Sequence, residues 1–406
     1  MEHISILKNP VQKYAWGSET ALQSLLGWPE PWTEPAAELW MGAHPKAPSE
    51  VEVHGGWQSL IDVIAADPVS MLGADAAEQF SNRLPFLFKV LAADRPLSIQ
   101  VHPDMNQARD GFKRENQRNI PFDAPHRNYK DASHKPECLC AVTRFEAMKG
   151  FRAPEDILKL MDQVFGKVPF KELSPLRKDA NSDGLKRFFT SLMTMDAARQ
   201  ARVVNEAVEG AKRIAGEDRA FHWLLELNRE YPGDGGVLSP LYLNLVDLSP
   251  GEAIYVPAGE LHAYLSGVGM EIMASSDNVL RGGLTPKHID IPELLDVVNF
   301  TATPVLKQRP LADDNFERIY ETPAAEFQLS EIALNANERF ISRKERSVEI
   351  LICMAGEGLI EESESGQALP LSKGVSVIVP SAVPRYALSG NMTLYKGGVG
   401  KGGHPL

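Results

Sequence analysis

Two stretches of this 406-residue chain align without a gap. The first opens Leu248-Ser249-Pro250-Gly251-Glu252-Ala253-Ile254-Tyr255-Val256-Pro257 and closes on Tyr264-Leu265-Ser266-Gly267. The second opens Leu371-Ser372-Lys373-Gly374-Val375-Ser376-Val377-Ile378-Val379-Pro380 and closes on Ala387-Leu388-Ser389-Gly390. Each reads as a Gly-bearing turn, a strand ending at Val-Pro, a second turn and a second strand. Proline cannot donate to a ladder, so it marks the strand end. A β-unit that occurs twice predicts two related barrels or double-sheet jelly rolls. One difference between the copies bears on chemistry. Where the first has His262, the second has Arg385. If His262 binds a metal, the second copy has lost that site.

A chain of this length predicts two or three domains. Apolar residues recur at helical spacing from Ala153 to about Tyr231. The stripes are Ile157, Leu158, Met161, Phe165; Leu185, Phe188, Phe189, Leu192, Met193; Val203, Val204, Ala207, Val208, Ala211, Ile214; and Phe221, Leu224, Leu225, Leu227. That pattern predicts four or five helices, closed by Pro232-Gly233-Asp234-Gly235-Gly236. Before it, Ser59 to Ala66 and Asn106 to Phe112 read as short helices. Leu84 to Leu91 and Cys138 to Val142 read as buried strands, and Asn9-Pro10, Gly17-Ser18 and Trp28 to Pro31 as turns. The net charge of −12 argues against a nucleic-acid or anionic-membrane partner. No apolar run approaches the ~18–20 residues of a membrane span. The N-terminus does not resemble a signal peptide, and three cysteines (Cys138, Cys140, Cys353) make no disulfide framework. The expected location is the cytoplasm.

Ser98-Ile99-Gln100-Val101-His102-Pro103 reads as a short strand. Side chains alternate along it, so Gln100 and His102 share a face and can turn an amide oxygen and an imidazole toward one ion. Glu137, just before a buried strand, and His262, at a strand start, complete a set of one amide, two imidazoles and one carboxylate. Mixed N/O ligation of this kind suits zinc, with iron, cobalt or manganese also possible. Histidines satisfied by hydrogen bonds within the core are the competing reading.

Longer motifs add to this. His134-Lys135-Pro136-Glu137, preceded by Tyr129 and Asp131, resembles the first signature of type I phosphomannose isomerases. His262-Ala263-Tyr264-Leu265, Gly267, Met270-Glu271, Met273-Ala274, Ser276-Asp277-Asn278, Leu280-Arg281, Gly283 and Thr285-Pro286-Lys287 resemble the second. Asn9 to Gly17, Glu38 to Pro45 and Leu84 to Pro103 resemble the family too. Two departures stand out: Ser133, where the family usually has Asn, and Gly282, where it usually has Ala. The resemblance implies a mainly β chain with an α-helical insert. Its catalytic cupin domain spans 1–152 and 236–302, the helical domain 153–235, and a C-terminal cupin-like domain without the metal site 303–406. It implies one zinc ion per chain on Gln100, His102, Glu137 and His262. It implies interconversion of mannose 6-phosphate and fructose 6-phosphate through a cis-enediol(ate), a step in carbohydrate metabolism toward GDP-mannose. The expected partner is a phosphorylated hexose, and the expected state a monomer.

That chemistry needs a group that moves a proton between C1 and C2, a group that opens the ring, and cations for the charge that develops. Glu271 or Lys135 suits the proton transfer. Asp277 with His102 or His134 suits ring opening. Arg281 suits the enediolate or the phosphate, because a guanidinium stays charged and binds oxyanions in pairs. Lys287, with Lys89 and Ser98, suits the phosphate, and Trp16, Trp40 and Tyr264 suit either a sugar pocket or sheet packing. A surface ion-pair network of Glu271, Asp277 and Arg281 is the plainer alternative. Cys138 and Cys140 read as small buried hydrophobes. Gly398 to Gly403 lacks phosphate-loop spacing and reads as a flexible tail. Two other functions remain open: a cupin metalloenzyme of another class, such as a dioxygenase, and a non-catalytic sugar-phosphate sensor.

Overall fold

The computed structural model describes residues 2–28, 34–53, 55–166, 170–312 and 315–402. Residues 29–31 of the expected first turn, and Gly403, lie outside this set. Among the described residues the chain forms a ten-stranded and an eleven-stranded sheet, and most of the helices fall between successive strands of the ten-stranded one.

The ten-stranded sheet is organised by one long strand, His262–Ala274. Its first half pairs with Phe145–Phe151 and touches Ile99–Val101; its second half pairs with Phe86–Ala93 and Glu137–Ala141. The change of partners falls at Gly267, whose φ is +119°. A Cβ there would sit 2.5 Å from the carbonyl oxygen of Arg144, so only glycine permits the bend. Strands that bend in this way turn the corner between two packed sheets. The strand therefore wraps around an interior.

Helices enter between Phe145–Phe151 and Leu243–Leu248, strands that pair with each other. Among the described residues this segment forms five α-helices, within the four or five that the stripes predict: Pro154–Phe165, Ser174–Lys178, Ser182–Met193, Ala197–Ile214 and Arg219–Glu230. Asn181, Asp196 and Asp218 cap three of them by accepting backbone N–H bonds. Their buried faces (Ile157, Met161, Phe188, Phe189, Val204, Ala207, Leu224) share one core with Leu238, Leu261 and Leu284. The helix expected over Asn106–Phe112 is longer, Met105–Gln117. Asp104 and Gln107 close a capping box at its start, and Gly111 inside it leaves room for the Tyr129 ring.

The eleven-stranded sheet carries the second copy of the repeat. Its long strand, Tyr386–Gly398, has 13 residues like the first and bends at Gly390, φ +129°. Ser5–Lys8, Glu50–Val53 and Gly56–Ser59, from the start of the chain, extend this sheet. One apolar cluster fuses the two sheets: Phe86, Phe88, Met270 and Ile272 pack with Phe327, Ile350, Ile352 and Tyr395. Cys138 and Cys140 are fully buried within it, and the Cys140 thiol donates to the Tyr320 hydroxyl across the junction (3.0 Å). Gly398 ends its strand and Gly400 lies against the carbonyls of Ala324 and Phe327, so the glycine-rich tail is packed as far as Gly400, and Lys401 and Gly402 are exposed.

Candidate metal centre and substrate cleft

The bend of the long strand sets its two ends across the interior from each other. His262 opens the strand, opposite Gln100. Glu137 pairs with Met273 near the other end. Across the gap, His262 Nε2 is 3.4 Å from Glu137 Oε2, and His102 Nε2 is 3.2 Å from Glu137 Oε1. All three residues are buried, and their ligand atoms lie within 4.8 Å of one another.

The other nitrogen of each ring decides what these groups can do. His102 Nδ1 is 2.7 Å from the carbonyl oxygen of Asn278, and His262 Nδ1 is 3.1 Å from that of Glu260. A carbonyl only accepts, so both Nδ1 atoms carry the proton and both Nε2 atoms present a lone pair. Burial, with Lys135 nearby, pushes His102 down to about 4, so its ring is neutral. Its Nε2 is buried without a hydrogen-bond partner. Two lone pairs and a carboxylate facing each other repel unless a cation lies between them. This donor set, with the Gln100 amide beside it, fits a divalent zinc ion. Glu137 is poised for it: burial opposes its charge, but Lys135 (2.8 Å) favours it, and its pKa is lowered below the usual carboxylate range.

Beneath lies a small cavity of about 60 Å³. Glu271 and Lys89 form its floor, 2.9 Å apart and in register on adjacent strands. Tyr264 Oη is 2.9 Å from the other oxygen of Glu271. Burial raises Glu271, and Lys89 only partly offsets it. Burial would lower Lys89, but Glu271 and Glu38 outweigh it and its pKa is raised. Lys89 is thus matched by two carboxylates. Above lies the wider cleft of about 410 Å³, lined among others by Trp16, Trp40, Ser98, Gln100, Lys135, Asp277, Arg281 and Lys287. Lys135 and Ser98 line both spaces.

On the cleft wall Lys46, Lys89 and Lys135 have carboxylate partners and Lys130 donates to the Phe122 carbonyl oxygen, which sets Arg281 and Lys287 apart. Neither has a carboxylate partner among the described residues, and burial lowers both pKa values. Asp277 is instead held by Lys46 (2.8 Å) and His44 (3.5 Å). These bonds outweigh burial and keep it well below the usual range. Glu271, Asp277 and Arg281 therefore form no network with one another. His134 is not on the cleft wall: its Nε2 is 2.6 Å from Glu326, in the loop that joins strands Glu317–Tyr320 and Gln328–Leu334 of the eleven-stranded sheet. The sequence reading missed Lys46, Lys130 and Tyr14 on the cleft wall. Lys46 follows the Glu38–Pro45 motif directly, and that position was the available signal.

Asn278 links the two signature motifs. Its carbonyl takes the His102 proton, its side-chain oxygen accepts from the N–H of Lys130 and Asp131, and its amide donates to the carbonyl oxygens of Asp131 and Ser133. The bond to Ser133 uses that residue's backbone, so the departure from Asn leaves it intact. At Gly282 a Cβ would meet the side chains of Ile99 and Leu261 at 3.2 Å, so an alanine here needs those two methyl groups to shift by a few tenths of an ångström.

Residues 4–154 match the family model for the catalytic domain of type I phosphomannose isomerase. The mannose-6-phosphate isomerase of Escherichia coli (strain K12) is 42% identical over 376 residues, 92% of this chain and 94% of that protein. The mannose-6-phosphate isomerase of Mus musculus is 32% identical over 420 residues, 96% and 90% of the two chains. A crystal structure of a phosphomannose isomerase variant from Salmonella typhimurium superposes with a TM-score of 0.90 at 39% identity, over 98% of this chain and 99% of that one. A zinc-bound mannose 6-phosphate isomerase gives 0.89, with the same identity and coverage. With these relatives, and with both signature motifs gathered at one cleft, the chain belongs to the type I phosphomannose isomerase family.

Proposed function

We propose that this chain is a zinc-dependent aldose–ketose isomerase that interconverts mannose 6-phosphate and fructose 6-phosphate through a cis-enediol(ate). The observation that carries the proposal is two adjoining spaces that share Gln100: an inner cavity lined by Glu137 and His262 of the metal-capable cluster, and a cleft whose wall holds Arg281 and Lys287, cations with no carboxylate partner among the described residues. The acidic chain thus keeps a local demand for an anion beside its candidate metal.

Gln100, His102, Glu137 and His262 would hold one zinc ion, which supplies Lewis-acid polarisation of the sugar oxygens when bound. Ser98 and Lys287 hold the phosphate. Arg281 lies opposite Gln100 in register and meets the oxyanion that develops at O1 and O2. Lys135 moves the proton between C1 and C2, because it lines both the cleft and the inner cavity. Glu271 has both oxygens engaged by Lys89 and Tyr264, which suits it to fixing the floor. Asp277 assists ring opening from the cleft wall. His134, engaged by Glu326, anchors the motif that carries Lys135, and Trp16 bounds the sugar site.

The repeat and the bent long strands support two cupin barrels: a catalytic one over 1–152 and 236–302, holding the helical domain 153–235, and a second over 303–406. Three buried free cysteines support a cytoplasmic setting, and a monomer is the proposed state. The test is a coupled assay for fructose 6-phosphate, with zinc content determined, on wild type and His262→Ala. Activity in the first, with activity and zinc both lost in the second, supports the reading. Zinc without isomerase activity in the wild type overturns it.

A further inference from the structure

We propose that Asp234, at the exit of the helical segment, is a positioning residue for the substrate's phosphate. Its carboxylate holds the turn Gly283–Lys287 in the shape that puts Lys287 on the cleft wall beside Arg281. The inference rests on the phosphate role given above to Lys287.

Asp234 does not line the cleft. Its Oδ1 accepts from the backbone N–H of Gly236 (2.7 Å) and of Leu284 (3.0 Å), and its Oδ2 from that of Thr285 (3.1 Å). Leu284 is in the left-handed region, φ +54°, which a branched side chain rarely adopts. Its side chain is buried in the helical core, so the backbone cannot relax outward. In this conformation the consecutive N–H groups of Leu284 and Thr285 face one concavity, the kind that takes an anion. Here the Asp234 carboxylate fills it.

The two loops touch through their backbones. A Cβ on Gly236 would lie 2.7 Å from the Leu284 nitrogen, and one on Gly283 would lie 2.9 Å from the Gly236 Cα. Both positions therefore require glycine. Past the turn, the Lys287 N–H donates to Thr285 Oγ1 (3.2 Å), and residues 284–287 line the cleft. Tyr231, three residues before Asp234, lines the cleft too and donates its hydroxyl to the carbonyl of Pro96 (2.7 Å), just before Ser98. The helical segment thus grips, at one exit, both loops that carry the phosphate residues. This gives the insert a role in substrate binding.

The experiment uses the zinc-loaded full chain as wild type, Asp234→Ala and Asp234→Asn. Asp234→Ala is expected to raise KM for mannose 6-phosphate about tenfold, with kcat within about twofold and zinc unchanged. Inorganic phosphate, as a competitive inhibitor, should weaken by the same factor. Asp234→Asn should fall between wild type and Asp234→Ala. Its one carbonyl oxygen still accepts from Gly236 and Leu284, but its amide cannot accept from Thr285. A lowered Tm with KM and phosphate inhibition unchanged in both variants overturns the proposal. If Asp234→Ala does not fold, Asp234→Asn decides on the same readouts. If wild type does not turn over mannose 6-phosphate, the isomerase reading fails. Calorimetric binding of inorganic phosphate, weaker in the variants or unchanged, then decides for or against Asp234.

Discussion

The two long strands share a backbone and differ in what they face inward. His262–Ala274 and Tyr386–Gly398 are equal in length, bend at matching glycines and follow turns with matching glycines, Gly251 (φ +82°) and Gly374 (φ +88°). The first interior is polar: His262, Tyr264 and Glu271, facing Glu137 and Lys89. In the second, Leu394 stands in the place of Glu271. Leu351 occupies the register position that Glu137 has in the first, and Ile332 that of Lys89. These apolar residues form a cluster of their own, and Arg385 is exposed. Fully burying a leucine is worth roughly 1.5–3 kcal/mol, whereas burying ions costs free energy unless each is paired. The second copy buries ions as well, Lys396 against Glu317 (2.7 Å) and Glu349 (3.0 Å), but these are paired within the protein. The first sets two imidazole lone pairs against a carboxylate and so gives up stability for chemistry.

The sharpest way to break this comparison is to exchange the defining residue. His262→Ala should remove zinc and lower isomerase activity by about 10³-fold or more, the loss of several kcal/mol of Lewis-acid stabilisation. Arg385→Ala should change activity by less than about twofold, the small effect of exposed residues. Arg385→His should gain no zinc by metal analysis, because Leu351 occupies the position that Glu137 has in the first copy. Zinc in that variant would show that the apolar interior does not define the second copy.

Within the first copy, Lys135→Met should lower kcat by about 10²–10³-fold, the range of a general acid–base group, with zinc content unchanged. Equal losses of zinc and activity would make Lys135 a support for Glu137 instead. Lys287→Ala should act on KM, raising it about 10–100-fold with kcat nearly kept, as removal of uniform binding does. Steady-state kinetics on mannose 6-phosphate separates the two.

The repeat, the helical stripes and the Gln100/His102 strand were legible in sequence, because period and turn residues encode them locally. The grouping of His102, Glu137 and His262 was legible through strand alternation and the motifs. The partners of the ions were not. Sequence gave no reason to match Lys89 with both Glu271 and Glu38, or Asp277 with Lys46, since those pairs arise from strand register and loop closure. Nor did it indicate that Leu284 would take a left-handed turn, which a distant carboxylate stabilises. His134 is the plainest case. Its motif suggested catalysis, while its ring meets Glu326, about 190 positions away.

That last contact gives the smallest prediction and joins the two copies. Burial opposes the charge of Glu326, but the His134 bond outweighs it and lowers its pKa. A carboxylate depressed in the folded state stabilises the fold above its unfolded value, about 4.3, and loses that contribution as pH falls through the folded value. Glu326→Gln should therefore cost about 0.5–1.5 kcal/mol at pH 7. In a chain of this size that is a Tm shift of about 1–3 °C. The difference from wild type should vanish on acidification below the folded value, as followed by calorimetric melting. An equal difference at pH 7 and at low pH would mean that Glu326 joins the sheets by shape and not by charge.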